Sequence, residues 1–340
     1  MFTRLLSAAA LTLSLFAAPA LAHESPDHDA FDYEETKAKY SVRDYVFSDL
    51  PERGYNYFKV AEDTWFVHGE FENMVFFVTD DGVVVVDPKP DISPFVLEVI
   101  PMVTEKPITH VIYSHHHRDH SQGAVLFPDD AILIAERETA DLLEAANDPK
   151  RPLPDIVFDD DYVLETGGLR LEMKDLGRNW HSQDDIVIWA PEQKILFTVD
   201  MFHPDAAPWI HWGESSDPWF AYGMPDRLLE AYDFNFVIVG HERIVGTQEH
   251  MKTYQAFIAD MKKTMMGVVQ SEWYQSAAKE ARSRITPSAQ HYFYKANIMT
   301  AANACADEMI EKWQGRVRNA ELNMVENCQT MFMHLVILDP

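Results

Sequence analysis

Basic residues are scarce in this chain, and so is cysteine. Lys and Arg number 28 against 55 Asp and Glu in 340 residues, a formal net charge of −27. No Lys/Arg run interrupts that excess, so nucleic acid, polyphosphates and anionic lipid surfaces are poor partners. Repeats and low-complexity tracts are missing as well, which removes solenoid and fibrous architectures. Beyond the first two dozen residues no apolar run approaches a membrane-spanning length. What remains is a globular chain, 47% hydrophobic, long enough for one large core or two smaller ones.

The first 22 residues read as an export leader. Arg4 supplies the positive start, Leu5 to Ala18 is apolar, and Ala20-Leu21-Ala22 fits an A-x-A cleavage site. The expected location is therefore periplasmic or secreted, with a mature chain starting near His23; a retained anchor is the alternative. Cys305 and Cys328 are the only cysteines. In an oxidising compartment they predict one disulfide stapling two C-terminal helices, as against two separate buried thiols. Residues 23–54 are acidic and weakly patterned, an extended lead-in.

From residue 55 short apolar runs alternate with helical pattern, which predicts an α/β domain over 55–246. Strands are expected at Thr64–His68, Met74–Val78, Val83–Val86, Ile108–Tyr113 and Ala131–Ala135. Further strands are expected at Tyr162–Leu164, Leu169–Met173, Ile186–Trp189, Ile195–Val199 and Phe236–Val239. Helices are expected at Pro94–Val103, Glu136–Ala146 and up to Tyr232. After Gly246 strand signals stop. Met251, Tyr254, Phe257, Ile258, Met261, Met265 and Val268 recur at helical spacing, and helical pattern continues through Tyr292–Trp313 and Ala320–Met333. Residues 247–340 are thus a helical region, either packed on the core or forming a lid or a homodimer interface. Its Met and aromatic stripes read as packing surface.

The chemistry concentrates in one decapeptide, Ser114-His-His-His-Arg-Asp-His-Ser-Gln-Gly123. It contains His-x-His-x-Asp-His: His115, His117, Asp119 and His120. Such a cluster behind a buried strand is costly to desolvate unless a cation satisfies it. Imidazole plus carboxylate suits Zn²⁺, with Fe or Mn as alternatives. His116 should point the other way if the segment is extended. Three more candidates end apolar runs or adjoin one: His181, Asp200, and His241 preceded by Gly240, where a glycine lets the backbone approach closely.

With these residues in that order, His-x-His-x-Asp-His, then His, Asp and Gly-His, the chain resembles the metallo-β-lactamase superfamily over roughly residues 55–246. The resemblance implies a four-layer αβ/βα sandwich with two zinc ions at one sheet edge. It puts His115, His117 and His181 on the first ion, Asp119, His120 and His241 on the second, Asp200 between them, and Asp87 behind the cluster as a supporting acid. A bridging Asp200 resembles lactonases, thiolester hydrolases and related esterases. However, Ser-Gln-Asp-Asp after His181 departs from the thiolester hydrolases and looks closer to lactamase-like members. The implied activity is hydrolysis of a small ester, lactone or related acyl substrate. Two metals about 3.5–4 Å apart would share a bridging hydroxide, with Asp119 as ligand and orienter. Alternatives are β-lactam hydrolysis, a mononuclear iron sulfur dioxygenase, and a non-catalytic metal binder. The loop after Asp200 is rich in aromatics and proline. It predicts His203 as a donor to the developing charge, and a substrate pocket from Trp209, His211 and Trp212. Tyr113, Phe71 and Trp180 are weaker pocket candidates.

Overall fold

The computed structural model describes residues 50–178 and 180–338. The expected leader and residues 23–49 lie outside them. Two mixed sheets carry the fold. The first runs in chain order: β1 (Asn56–Ala61), β2 (Thr64–His68), β3 (Asn73–Val78), β4 (Val83–Val86), β5 (Ile108–Ile112), β6 (Ile132–Glu136) and β7 (Ile156–Phe158). β1 to β4 are antiparallel and β4 to β7 are parallel. Parallel neighbours need crossovers. α1 (Ser93–Val103) joins β4 to β5, the short α2 (Arg118–Ser121) lies between β5 and β6, and α3 (Arg137–Ala146) joins β6 to β7. All four residues of β4 are buried, as expected of a strand covered on both faces. Glu136 caps α3 by accepting from the Glu138 and Thr139 amides, and Asn147 ends it in the left-handed conformation.

The second sheet contains β8 (Asp161–Thr166), β9 (Leu169–Asp175), β10 (Ile186–Ala190), β11 (Ile195–Val199), β12 (Phe236–Val239) and β13 (Gly246–Thr247), ordered 13-12-11-10-9-8. Only β11 and β12 pair in parallel, and α4 (Pro218–Ala221) and α5 (Met224–Ala231) fill that crossover. The inner faces meet in a cluster including Phe66, Phe77, Val86, Ile188 and Phe197. The outer face of the first sheet packs on α1 through Phe76, Val85, Val96 and Val99. This is the αβ/βα sandwich.

The helical region is α6 (Gln248–Gln270), α7 (Glu272–Ser283), α8 (Gln290–Trp313) and α9 (Met324–Phe332), closed by a π-turn at Met333–Ile337. The seven-residue stripe of α6 from Met251 to Val268 is buried, in one hydrophobic cluster with Trp180 and with Leu196 and Val237 of the second sheet. The region is therefore a packed layer of the molecule. A disulfide joins Cys305 of α8 to Cys328 of α9.

The periodicity read from Ala320 overshoots at its start. Asn319 has a left-handed backbone (φ 58°), α9 begins only at Met324, and Arg318 pairs with Ala206 in an isolated bridge. β1, β7 and β13 escaped the sequence reading: they are edge strands, β1 and β13 with little continuous apolar character and β7 only three residues long.

Candidate metal centre

β5 delivers the chain to the decapeptide, which leaves the sheet as a tight turn into α2. Ser121 Oγ donates back to the His117 carbonyl at 2.6 Å and fixes that turn. β4 ends at Asp87, whose carboxylate accepts from the Ser114 amide (2.8 Å) and hydroxyl (2.9 Å) and faces His120 Nδ1 at 3.2 Å. Asp87 (φ 54°) and Val199 (φ 45°) both sit in left-handed backbone. For a β-branched residue this conformation is strained, and Val199 directly precedes Asp200, so the strain lies beside the cluster.

Tertiary structure gathers the seven candidate ligands into two groups: His115, His117 and His181, and Asp119, His120, Asp200 and His241. Within each group one donor atom per residue lies within 4.8 Å of the others. Asp200 Oδ2 stands 3.0 Å from His120 Nε2, 3.1 Å from His241 Nε2 and 3.6 Å from His181 Nε2, so it reaches both groups. Gly240 permits this approach. A Cβ there would collide with Asp200 Oδ1 and come within 2.8 Å of His120 Cε1.

Outward hydrogen bonds decide which ring nitrogen faces inward. Carboxylates and carbonyls only accept. Asp87 therefore accepts a hydrogen bond from His120 Nδ1, Glu72 Oε1 accepts one from His241 Nδ1 at 2.9 Å, and the Gly213 carbonyl accepts one from His181 Nδ1 at 2.7 Å. Ser114 Oγ donates to Asp87, so at 3.0 Å it accepts from His115 Nδ1. Four imidazoles thus carry a proton on the outer nitrogen and aim the other into one space. There His181 Nε2 faces His117 Nδ1 at 3.0 Å, and His120 Nε2 faces His241 Nε2 at 3.1 Å. His115 Nε2 and Asp200 Oδ1 are buried with no hydrogen-bond partner. Converging ring nitrogens and two orphaned buried acceptors are what a bound cation would satisfy. The donor set suits zinc.

The electrostatics divide along the same line. Burial holds His115 far below the usual imidazole range, and burial followed by His181 and His116 brings His117 down to about 4. Both are neutral and ready to coordinate. In the second group burial opposes charge but loses. Asp200, with hydrogen bonds to Asp119 and Glu72, lifts His241 to about 11, and Asp200 also raises His120. Asp119 and Asp200 are held low against burial by the facing histidines.

The metallo-beta-lactamase superfamily profile matches residues 68–243 of this chain. The chain belongs to that superfamily. Its members are mostly hydrolytic metalloenzymes. A metallo-beta-lactamase from Pontibacter korlensis superposes with a TM-score of 0.52 at 20% identity, over 60% of this chain and 99% of its own. The metallo-β-lactamase TMB-1 superposes at 0.52 and 16% identity, over 62% and 98%. The inverting sec-alkylsulfatase Pisa1 from Pseudomonas sp. superposes at 0.58 and 18% identity over 84% of this chain, which spans about half of that protein (52%). At these identities the likeness is one of fold.

Several residues behind the metallo-β-lactamase site escaped the sequence reading. Glu72, in the turn between β2 and β3, orients His241 and is itself bound by buried Lys89 at 3.0 Å; Lys89 also donates to the Gly240 carbonyl at 2.5 Å. Asn73 Nδ2 donates to the Val239 and Glu242 carbonyls and fastens the His241 loop to the first sheet. Asp184 takes the His116 amide and Nδ1 at 2.7 and 2.8 Å, so His116 turns away from the centre. Asp185 accepts from the His181 and Ser182 amides, and burial raises it to about 6. The pair Asp184-Asp185 was visible in the sequence. Glu72 and Lys89 had no local signal.

A cavity of about 770 Å³ opens over both groups, with His117, Asp119, His181, Asp200, His203 and His241 among its lining. Phe71 and Trp209, exposed to 72% and 55%, stand on its wall, joined by Leu322 and Arg318 from the turn between α8 and α9. Two expected pocket residues are elsewhere. Trp212 is 1% exposed in the hydrophobic cluster, held by Asn327, because its indole NH finds a carbonyl there. His211 lies on the surface, 3.1 Å from Thr330 Oγ1. Tyr113 and Trp180 are also core residues, the Tyr113 hydroxyl donating to the Pro152 carbonyl. His203 lines the cavity with Nδ1 3.5 Å from Glu242 Oε1.

Proposed function

We propose that this protein is a dinuclear zinc hydrolase of small esters, lactones or related acyl compounds, with His115, His117 and His181 on one ion, Asp119, His120 and His241 on the other, and Asp200 between them. The observation that carries this reading is the set of inward-facing imidazole nitrogens with two orphaned acceptors, His115 Nε2 and Asp200 Oδ1. A bound ion pair would supply Lewis-acid polarisation and a water acidic enough to attack at neutral pH. Asp119, 52% exposed and on the pocket floor, would accept a hydrogen bond from that water and orient it. His203, steadied by Glu242, is placed to donate to a departing oxygen. Phe71, Trp209 and Leu322 give the wall an apolar character that suits an acyl or aryl substituent.

A second reading is favoured by the guanidinium groups of Arg243 and Arg318 in the cavity lining. They suit an anionic ester, and the helical region aligned in the alkylsulfatase comparison makes sulfate monoesters the class to try. The proposal also includes export to the periplasm or medium, and a homodimer through the helical region. Among the described residues no helix is long and apolar enough to cross a membrane.

Metal quantification on protein purified without added metal, followed by lactone, thiolester, aryl ester, sulfate ester and β-lactam panels, tests the reading. Two zinc per chain with acyl-ester turnover supports it. One iron per chain with thiol-dependent oxygen uptake would replace it with a dioxygenase. Preference for nitrocefin or a sulfate ester would move the substrate. Tight zinc binding with no turnover anywhere would leave a metal-binding protein.

A further inference from the structure

His181 is carried by a loop, residues 180–185 before β10, and no strand fixes its ring. Its orientation comes from the Gly213 carbonyl, 2.7 Å from Nδ1. Gly213 belongs to an unusual turn. His211, Trp212, Gly213 and Glu214 are all left-handed, with φ of 48°, 62°, 74° and 54°. Left-handed backbone costs an L-residue roughly 1–2 kcal/mol, and three of these four carry side chains, so the turn needs support from outside. α9 provides it. Asn327 Oδ1 accepts from the Trp212 amide at 2.8 Å, its carbonyl accepts from Trp212 Nε1 at 3.0 Å, and its Nδ2 donates to the Pro208 carbonyl at 2.8 Å. Asn327 is 1% exposed, and both side-chain heteroatoms are spent on this one loop. Thr330, one turn along, faces His211, and the adjacent Cys328 is tied to α8.

We propose that Asn327 is a positioning residue for the metal centre. It clamps the left-handed turn, the turn presents the Gly213 carbonyl, and that carbonyl holds the His181 proton on Nδ1 with Nε2 turned inward. The helical region then sets the geometry of a ligand whose codon lies 146 positions upstream (327 − 181). The idea rests on reading His115, His117 and His181 as one coordination group.

The test uses the full chain with Asn327→Ala and Asn327→Asp, the latter keeping an acceptor for the Trp212 amide but losing the donor to Pro208. Met309→Ala, buried on α8 with no hydrogen bond to the turn given by its side chain, serves as a control for general loosening. Stepwise zinc affinities come from chelator competition, and the His181 tautomer from ring-nitrogen NMR of metal-free protein. The expected result is a loss of about 10–100-fold for one zinc equivalent only, with the other held and the Met309→Ala affinities close to wild type. The His181 ring should lose its fixed Nδ1–H form in the Asn327 variants. Unchanged affinities and tautomer, or both equivalents falling together with Met309→Ala falling likewise, overturn the proposal. Should neither Asn327 variant fold, a metal-free wild type whose His181 lacks a hydrogen-bonded Nδ1–H overturns it, and one that has it upholds it. Wild type that takes up no zinc defeats the metal reading, while the tautomer comparison still decides the clamp.

Discussion

On the proposed reading, zinc entering the second group would have to expel protons that now hold it together, and this would make loading steeply pH-dependent. His241, raised to about 11, is protonated at pH 7, whereas His117, at about 4, and His115, lower still, are not. His115 and His117 should accept an ion without releasing protons. The second group must give up at least the His241 proton. Four pKa units above pH 7, at 1.36 kcal/mol each, set a penalty of up to about 5 kcal/mol. The apparent affinity of that site should therefore rise by up to about tenfold per pH unit for each proton released. Metal-free protein carries the converse linkage. His241 is raised on folding, so its stabilisation is complete below its ordinary value of 6.5 and is lost as pH climbs towards 11. Asp119 and Asp200 are held low, so theirs is present above about 3.8 and is lost on acidification. His115 and His117 are lowered on folding and cost stability below 6.5, so stripped protein should be most stable around that pH. Calorimetric zinc titration in two buffers of different ionisation enthalpy counts the protons, and Glu72→Gln, which removes the carboxylate at His241 Nδ1, should lower the count. Equal, pH-independent affinities for both equivalents, with no buffer dependence, would refute the reasoning.

His117→Ala should lose one metal and nearly all turnover, whereas His116→Ala, whose partner Asp184 keeps the backbone amide, should retain both; equal loss measured by metal content and rate would reverse the assignment of faces. Cys305→Ser opens a loop of 23 residues and should lower unfolding free energy by about 3 kcal/mol in denaturant titration, an effect absent when both proteins are compared under reducing conditions. Trp209→Ala should raise KM for an aryl ester with little change in stability. Trp212→Ala should cost about 3–5 kcal/mol of stability because that ring fills the core. Equal melting temperatures for the two variants would contradict the placement.

Much of the sandwich was legible because its central strands are short runs of Val, Ile and Phe whose burial leaves no freedom in the pattern. β4 and β11, buried throughout, are the clearest cases. The stripe on α6 was legible for the same reason at helical period. Trp209 and Trp212 were not separable. They lie three residues apart in one aromatic loop, and the left-handed turn between them sends one to the cavity and the other to the core. Local pattern carries no term for such a turn, since at Trp212 it runs against the residue's own preference.

The sequence by itself determined the kind of chemistry. His-x-His-x-Asp-His is dense enough that its candidate ligand types are read without a fold, and the residues closing the apolar runs complete the candidate set. Only the tertiary structure decided how those ligands are held. Glu72 behind His241, Lys89 behind Glu72, and Asn327 behind the turn that orients His181 come from distant segments with no periodic signature. A single hydrogen bond between residues far apart in the chain leaves no trace in either neighbourhood, whereas a buried strand or helix face is written into every second or every third and fourth residue.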